Sequence, residues 1–189
     1  RHFQEKAESY KDYTVDCRRK IHEMAELSNE EVNTSAFVEE ELKKMGLPTV
    51  RPAEYTVVAV LDTGRPGKKV ALRADLDALA VPENPDNLAG PRVCRSNTPD
   101  KTCHACGHDA HSAMLLTAAK ILTEEKEYHP TLFSGVVHSN AGDENWPNRS
   151  AKRDNIWDYA KSMDVCEPFA CPKDFDKGLL KWEERISFA

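Results

Sequence analysis

The hydrophobic positions near the start of the chain recur at helical spacing. Across residues 10–45 the apolar side chains follow one another every three or four positions, as they do in a helix with one buried face. Ser28 interrupts the pattern, and its spacing from Glu31 is that of a capping box at a helix start. Gly46 supplies a signal for the end of a helix. We therefore predict two helices, separated near Ser28.

Strand patterns follow these helices. Residues 55–61 are rich in β-branched side chains, the turn sequence at 63–67 follows, and residues 69–74 form a second strand candidate. This order predicts two strands joined by a tight turn. Residues 131–138 form a further strand candidate.

Between these strand candidates lie a predicted loop and a predicted helix. Residues 82–101 contain four of the eleven prolines, which favours a loop that passes over a surface or a site. Residues 110–125 carry one apolar stripe and form the clearest helix in the sequence. Because helices and strands alternate in this way, the chain is expected to adopt an α/β fold.

Composition narrows the class of protein further. The 189 residues are 40% hydrophobic and carry a formal net charge of -6, which is typical of a folded globular chain. Lysine and arginine are scattered, which argues against a nucleic-acid partner. The sequence holds no run of about 18 apolar residues, so no transmembrane helix and no membrane partner are predicted. Small-molecule chemistry is the better expectation.

The densest group of reactive side chains lies at residues 103–111, with two thiols, three imidazoles and a carboxylate. Thiolate and imidazole are preferred ligands of zinc and its neighbours, and short spacing lets one turn supply two donors. The predicted helix start would favour the thiolate form of Cys106. Asp109 could orient a metal-binding imidazole. Ordinary surface histidines with buried cysteines, or a redox pair of Cys103 and Cys106, are the alternatives.

Two carboxylates end the second predicted strand. Asp75 and Asp77 are two residues apart, so in a strand their side chains would share one face. Carboxylates at the end of a buried strand are costly unless they bind something. A solvated strand end is the alternative interpretation.

Three separate motifs together resemble a known family. They are Cys-Arg-Arg-Lys-Ile-His at 17–22 with the acidic stretch at 26–31, Leu-Arg-Ala-Asp-Leu-Asp-Ala-Leu at 72–79, and His-Ala-Cys-Gly-His-Asp at 104–109. Their order and spacing resemble the M20 metallopeptidases, and most closely their amidohydrolase branch of hippurate, N-acyl-amino-acid and auxin-conjugate hydrolases. The resemblance covers roughly residues 13–125.

This resemblance implies a catalytic domain with a mixed sheet flanked by helices, and a small-molecule amide substrate such as an N-acyl amino acid or amino-acid conjugate. It implies one or two divalent metal ions, zinc or manganese. By motif, Cys106 and His108 would be metal ligands, and Asp77 would support the site as a catalytic carboxylate. After the last predicted strand, Asp143 would act as the general base and Glu144 as a further ligand.

The end of the sequence departs from the family pattern. All seven histidines lie before residue 139, so the later histidines of the family have no counterpart here. We expect residues 1–140 to form a partial, N-terminal catalytic domain without the family's lid domain. Residues 141–189 are expected to form a divergent tail, which contains the three tryptophans and a Cys166–Cys171 pair that is either a disulfide or two unrelated thiols.

Two functions follow from this incomplete ligand set. The first is metal-dependent amide hydrolysis, which this chain alone would perform incompletely unless it forms a homo-oligomer or works with a partner chain. The second is a non-catalytic metal-binding or interaction domain that keeps the scaffold.

Overall fold

The computed structural model describes residues 2–66, 71–86, 90–128 and 136–138. These ranges contain four α-helices, a short 3-10 helix at Lys126–Tyr128 and four strands. The helices are α1 (His2–Ser9), α2 (Lys11–Met24), α3 (Val32–Lys44) and α4 (His108–Glu124). The strands are β1 (Thr49–Ala53), β2 (Thr56–Ala59), β3 (Leu72–Ala74) and β4 (Val136–His138). Among the helices in these ranges, none is both long and apolar enough to cross a membrane.

The four strands form one mixed sheet in the order β1-β2-β4-β3. Strand β2 pairs antiparallel with β1 and with β4, whereas β3 pairs parallel with β4. Parallel strands need a long crossover connection, and here that connection contains α4. The predicted α/β class with a mixed sheet is therefore confirmed.

The predicted tight hairpin between the β2 and β3 segments is wrong. Both strands form, but β4 lies between them in the sheet. The hairpin partner of β2 is β1, which the sequence pattern did not reveal because Arg51 and Pro52 weaken its strand signal. Proline is tolerated there because β1 is the edge strand of the described sheet.

The two predicted helices are confirmed as α2 and α3, and the short helix α1 precedes them. The capping box predicted from Ser28 and Glu31 is wrong, because α3 begins at Val32 and Glu31 makes no side-chain cap. Instead, the Glu26 carboxylate accepts the backbone amides of Asn33 and Thr34 at 3.0 and 2.8 Å. It thus satisfies first-turn donors that have no partner inside the helix.

Gly46 ends α3 as predicted. Its φ of 78° is a left-handed conformation that glycine adopts without a steric penalty. The amide of Gly46 reaches the carbonyl of Lys43 at 2.9 Å, and the amide of Leu47 reaches that of Leu42 at 3.2 Å. These bonds close the last turn of the helix before the chain enters the sheet.

The core lies where α2, α3 and α4 pack together and against the sheet. Fully buried aliphatic side chains from each layer meet there, among them Ile21, Val38, Leu42, Val57 and Leu116. Burial of each such side chain stabilises the fold by about 1.5–3 kcal/mol. This core fixes the position of α4 relative to α2, which matters for the site at the start of α4.

Backbone hydrogen bonds connect the segment between β3 and α4 to neighbouring parts of the chain. The amide of Ala78 donates to the carbonyl of Glu26 at 2.7 Å. Leu79 and Cys103 exchange two backbone hydrogen bonds, at 3.0 and 3.1 Å. The described part of residues 82–101 is irregular between these contacts, as predicted for a loop. The segment just after β3 and the turn before α4 therefore lie side by side.

Candidate metal centre

A tight turn carries the two predicted metal ligands into α4. Gly107 has a φ of 79°, and its amide donates to the carbonyl of His104 at 3.1 Å. Helix α4 begins at His108, two residues before its predicted start. Cys106 is exposed on the turn. The glycine between them allows a backbone conformation that most side chains disfavour.

His108 is held from behind by Asp77. Its Nδ1 atom lies 2.8 Å from the Asp77 carbonyl oxygen and 3.0 Å from the Asp77 Oδ1 atom. Only 3% of the surface of Asp77 is exposed. The hydrogen bond to this carboxylate raises the pKa of His108. With the proton on Nδ1, the Nε2 atom is the nitrogen that can bind a metal, which is the usual arrangement behind metal-binding imidazoles.

Asp75 and Asp77 have different partners. Strand β3 ends at Ala74, so the alternation that predicted a shared face does not extend to these carboxylates. The Asp75 carboxylate pairs with Arg73, and its carbonyl accepts the Ser112 hydroxyl at 2.7 Å.

A second carboxylate and imidazole pair lies one residue further along α4. Asp109 is 1% exposed, and its Oδ2 atom accepts from His22 Nδ1 at 2.8 Å and Arg18 Nε at 2.9 Å. The prediction that Asp109 orients a metal-binding imidazole is therefore wrong, because the carboxylate faces α2 and Asp77 contacts His108 instead.

The contacts of Asp109 extend into the loop after β3. His22 Nε2 lies 3.2 Å from Glu83 Oε1, and Glu83 also accepts from Arg92 at 2.6 Å and from the Ser96 amide at 3.0 Å. We refer to Arg18, His22, Glu83, Arg92 and Asp109 as the Asp109 network. The sequence alone did not predict this network. Arg18 and His22 are four residues apart on one helix face, and this spacing could have indicated that they act together.

The contacts within the Asp109 network favour the charged forms of its ionisable side chains. Burial alone would raise the pKa of Asp109, but the hydrogen bond from His22 and the charge of Arg18 lower it below its ordinary value. The pKa of Glu83 is lowered in the same way, against burial, by His22, the Ser96 amide and Arg92. The pKa of His22 is raised, chiefly by its bond to Asp109. His104, whose ring centroid lies 6.1 Å from that of His22, stays neutral because burial lowers its pKa to about 4.

The four cysteines in the described ranges are all free thiols. Cys103 is buried, its Sγ atom lies 3.8 Å from the Pro82 carbonyl oxygen, and burial raises its pKa. Reactive thiols instead have lowered pKa values and partial exposure. The redox alternative for Cys103 and Cys106 therefore gains no support. The pair Cys166 and Cys171 lies outside the described residues.

The two described donors fit a divalent metal in type and position. A thiol and an imidazole with a committed Nδ1 flank one glycine at a helix start, and both are preferred zinc ligands. Within the described ranges no group of three or more His, Cys, Asp or Glu residues is arranged to hold a metal. The remaining predicted site residues, Asp143 and Glu144, lie outside the described residues. The ligand and catalytic roles given by motif thus stay predictions.

Comparison with solved structures agrees with this architecture. The fold is similar to that of Bacillus subtilis YXEP, described as a dinuclear metal binding peptidase from the M20 family, with a TM-score of 0.68 at 24% identity. This similarity covers 84% of this chain and 42% of the matched chain. A structure from methicillin resistant Staphylococcus aureus matches with a TM-score of 0.68 at 30% identity, over 80% of this chain and 37% of that chain. The chain therefore has the α/β architecture of this class of peptidase domain.

Sequence comparison gives the family. Residues 71–156 match the model of peptidase family M20/M25/M40. Thermostable carboxypeptidase 1 of Saccharolobus solfataricus is 44% identical over 67% of this chain, and IAA-amino acid hydrolase ILR1-like 5 of Arabidopsis thaliana is 46% identical over 65%. N-acyl-L-amino acid amidohydrolase of Geobacillus stearothermophilus is 43% identical over 58%. The predicted relationship to the M20 family and its amidohydrolase branch is confirmed.

The match covers only part of each relative. The chain spans 30% of the carboxypeptidase, 27% of the plant hydrolase and 28% of the bacterial amidohydrolase.

Proposed function

We propose that this chain provides part of a metal-dependent amidohydrolase that cleaves the amide bond of an N-acyl amino acid or an amino-acid conjugate. Relatives named for hydrolysis of such compounds support the reaction class and the small-molecule substrate. The proposed cofactor is one or two divalent metal ions, zinc or manganese. A fold neighbour described as a dinuclear metal binding peptidase supports a divalent metal.

The observation that carries the proposal is the turn at the start of α4. His108 is fixed through Nδ1 by the buried Asp77, and Cys106 is exposed one residue before the glycine. An exposed thiol beside an imidazole whose Nε2 atom has no partner among the described residues is suited to binding a metal rather than to packing.

Each residue of the proposed site has a distinct task. Cys106 and the Nε2 atom of His108 would hold the metal, and Asp77 would keep His108 in the tautomer that allows this. Asp143 would accept a proton from the attacking water, and Glu144 would add a further donor. When bound, the metal would supply acidification of a water molecule and polarisation of the amide carbonyl.

The test compares the full 189-residue chain with a Cys106→Ser/His108→Ala double variant. We measure zinc and manganese content after dialysis and hydrolysis of an N-acyl amino acid. We expect the wild-type chain to retain metal and the double variant to lose it. Turnover by this chain alone is expected to be weak and to be abolished in the double variant.

A control variant removes a histidine away from the site, through His2→Ala, and should retain metal. Metal binding without any turnover would instead favour the non-catalytic metal-binding domain. If neither wild type nor double variant holds metal, both functions are refuted.

A further inference from the structure

The motif Cys-Arg-Arg-Lys-Ile-His at residues 17–22 has no task in the proposed chemistry, yet two of its side chains contact α4, the helix that begins at the proposed metal site. Arg18 and His22 are four residues apart on α2, so they lie on the same helix face. Both contact one buried carboxylate, that of Asp109 in the first turn of α4.

The Asp109 carboxylate is held on both of its oxygens. Oδ2 accepts from His22 Nδ1 at 2.8 Å and from Arg18 Nε at 2.9 Å, while Oδ1 accepts the Ala110 amide at 2.8 Å. Charge-assisted hydrogen bonds of this length are stronger than neutral ones and more directional. The side chain therefore cannot turn without loss of at least one of these bonds.

The contact between Asp109 and α2 matters because Asp109 lies next to the predicted metal ligands in the chain. Asp109 directly follows His108 and is three residues from Cys106. A rotation of the first turn of α4 would change where both predicted donor atoms point. Asp77 restrains the His108 ring, and the contact between Asp109 and α2 adds a restraint on the first turn of α4, to which His108 belongs.

The restraint also reaches the loop that crosses beside the site. His22 Nε2 contacts Glu83, which holds Arg92 at 2.6 Å and the Ser96 amide at 3.0 Å. His22 thus joins the start of α4 to the described part of the loop between β3 and α4.

We propose that Arg18 and His22 are positioning residues for the metal centre, which by holding Asp109 fix the direction in which Cys106 and His108 present their donor atoms. The proposal rests on the proposed function, since it requires that this turn binds a metal. Neither residue is one of the proposed metal ligands. Partners that orient metal ligands typically change metal affinity by about 10- to 100-fold when removed.

The test uses Co²⁺ as a metal probe on the full-length chain. The variants are Arg18→Gln, His22→Gln and Arg18→Lys, and Arg19→Gln is the matched control because it removes the neighbouring arginine of the same motif. Circular dichroism and thermal unfolding without metal first establish that each variant is folded. Co²⁺ titration then gives affinity, and the thiolate-to-cobalt absorption band reports on the bond to Cys106; competition with Zn²⁺ checks the affinity independently.

We expect Arg18→Gln and His22→Gln to bind Co²⁺ about 10- to 100-fold more weakly with an altered thiolate band, and Arg19→Gln to match wild type. Arg18→Lys keeps the charge but not the position of Nε, so its affinity should fall between wild type and Arg18→Gln. If Arg18→Gln or His22→Gln does not fold, the comparison of Arg18→Lys with Arg19→Gln decides the question.

A measurement without metal separates positioning from general stability. In the apo protein, the amides of Ala110 and His111 should exchange hydrogen faster in Arg18→Lys than in wild type, while amides in α3 keep their protection. Folded variants with wild-type Co²⁺ affinity and band would overturn the positioning role alone. A wild-type chain that binds neither Co²⁺ nor Zn²⁺ would overturn the proposed function, and this role with it.

Discussion

Two imidazole and carboxylate pairs meet at the start of α4, and they differ in what happens to the second ring nitrogen. In the pair of His108 and Asp77, the carboxylate and a backbone carbonyl both contact Nδ1. In the pair of His22 and Asp109, Nδ1 contacts Asp109 and Nε2 contacts Glu83. Among the described residues, His108 Nε2 has no hydrogen-bond partner, whereas both ring nitrogens of His22 are engaged.

This difference separates the predicted metal ligand, His108, from a structural histidine, His22. Both histidines have pKa values raised by a buried carboxylate, so the direction of the pKa shift does not distinguish them. Metal binding requires a deprotonated nitrogen with a free lone pair. The occupancy of the second nitrogen, rather than burial or pKa, indicates which imidazole can bind a metal.

The largest expected effect is on the stability of the structural pair. Asp109→Asn removes the anion between Arg18 and His22, whose Nη2 and Nδ1 atoms lie 3.3 Å apart. Loss of one partner from a buried ionic network costs about 3 kcal/mol or more, which urea unfolding would detect. Asp75→Asn, at a surface pair, should cost less than about 1 kcal/mol. Equal losses in the two variants would contradict the distinction.

The second effect concerns the pair of His108 and Asp77. Asp77→Asn keeps an oxygen for His108 Nδ1 but removes the charge, so the pKa of His108 should fall toward its ordinary value. Zinc affinity should drop by about 10- to 100-fold, measured by competition with a chelating dye. NMR titration of the His108 ring follows the pKa. Unchanged zinc affinity would show that Asp77 does not support a ligand.

The third effect contrasts two buried carboxyl groups. Asp109 has cationic partners and a lowered pKa, whereas burial of Glu31 raises its pKa from 4.5 to about 8. Between pH 4.5 and about 8, Glu31 keeps its proton in the folded chain and releases it in the unfolded chain. Stability should therefore decrease as the pH rises from 4.5 to 8, by at most about 1.4 kcal/mol per pH unit.

Glu31→Gln should remove this decrease, because the amide does not titrate. Unfolding free energies measured across the same pH range for wild type and variant isolate the contribution of Glu31 from that of His22. Glu40→Gln, at an exposed helix position, serves as the control. Parallel profiles for wild type and Glu31→Gln would show that the carboxyl titrates normally.

The smallest effect tests the turn itself. Gly107→Ala adds a methyl group that, apart from its chain neighbours, has no atom of the described residues within 4 Å, so its cost is backbone strain at a φ of 79°. The expected loss is about 1 kcal/mol. Gly46→Ala has a similar φ of 78° and equally open space, at the end of α3. Both variants should lose similar stability, but only Gly107→Ala should weaken zinc binding. Equal zinc affinity in the two variants would show that the turn at Gly107 does not contribute to the metal site.

Local patterns predicted the helices well and the contacts between distant segments poorly. The apolar stripe of α4 and the glycine after α3 were sufficient to place those elements. The capping role of Glu26 was missed because it acts from outside the usual capping position. The pairing of β2 with β1 was missed because Arg51 and Pro52 weaken the strand signal of β1. The position of β4 between β2 and β3 was missed because it depends on tertiary packing rather than on neighbouring residues.

The candidate site shows the same contrast between local patterns and contacts of distant segments. A short motif was sufficient to select Cys106 and His108, since both candidates lie within one turn. The side chains that bind Asp109 are up to 91 positions away in sequence, and no spacing rule reaches that far. Asp109 itself was selected, but its partner could not be known before α2 and α4 were docked.

The distance between His22 and Asp109 along the chain also has a consequence during synthesis. They are 87 positions apart, and α2 leaves the ribosome first. At about 5–20 residues per second, His22 is synthesised roughly 4–17 s before Asp109. During that interval Arg18 and His22 have no Asp109 to pair with, so the contacts between α2 and the turn proposed to bind metal form only after the late helix has been made.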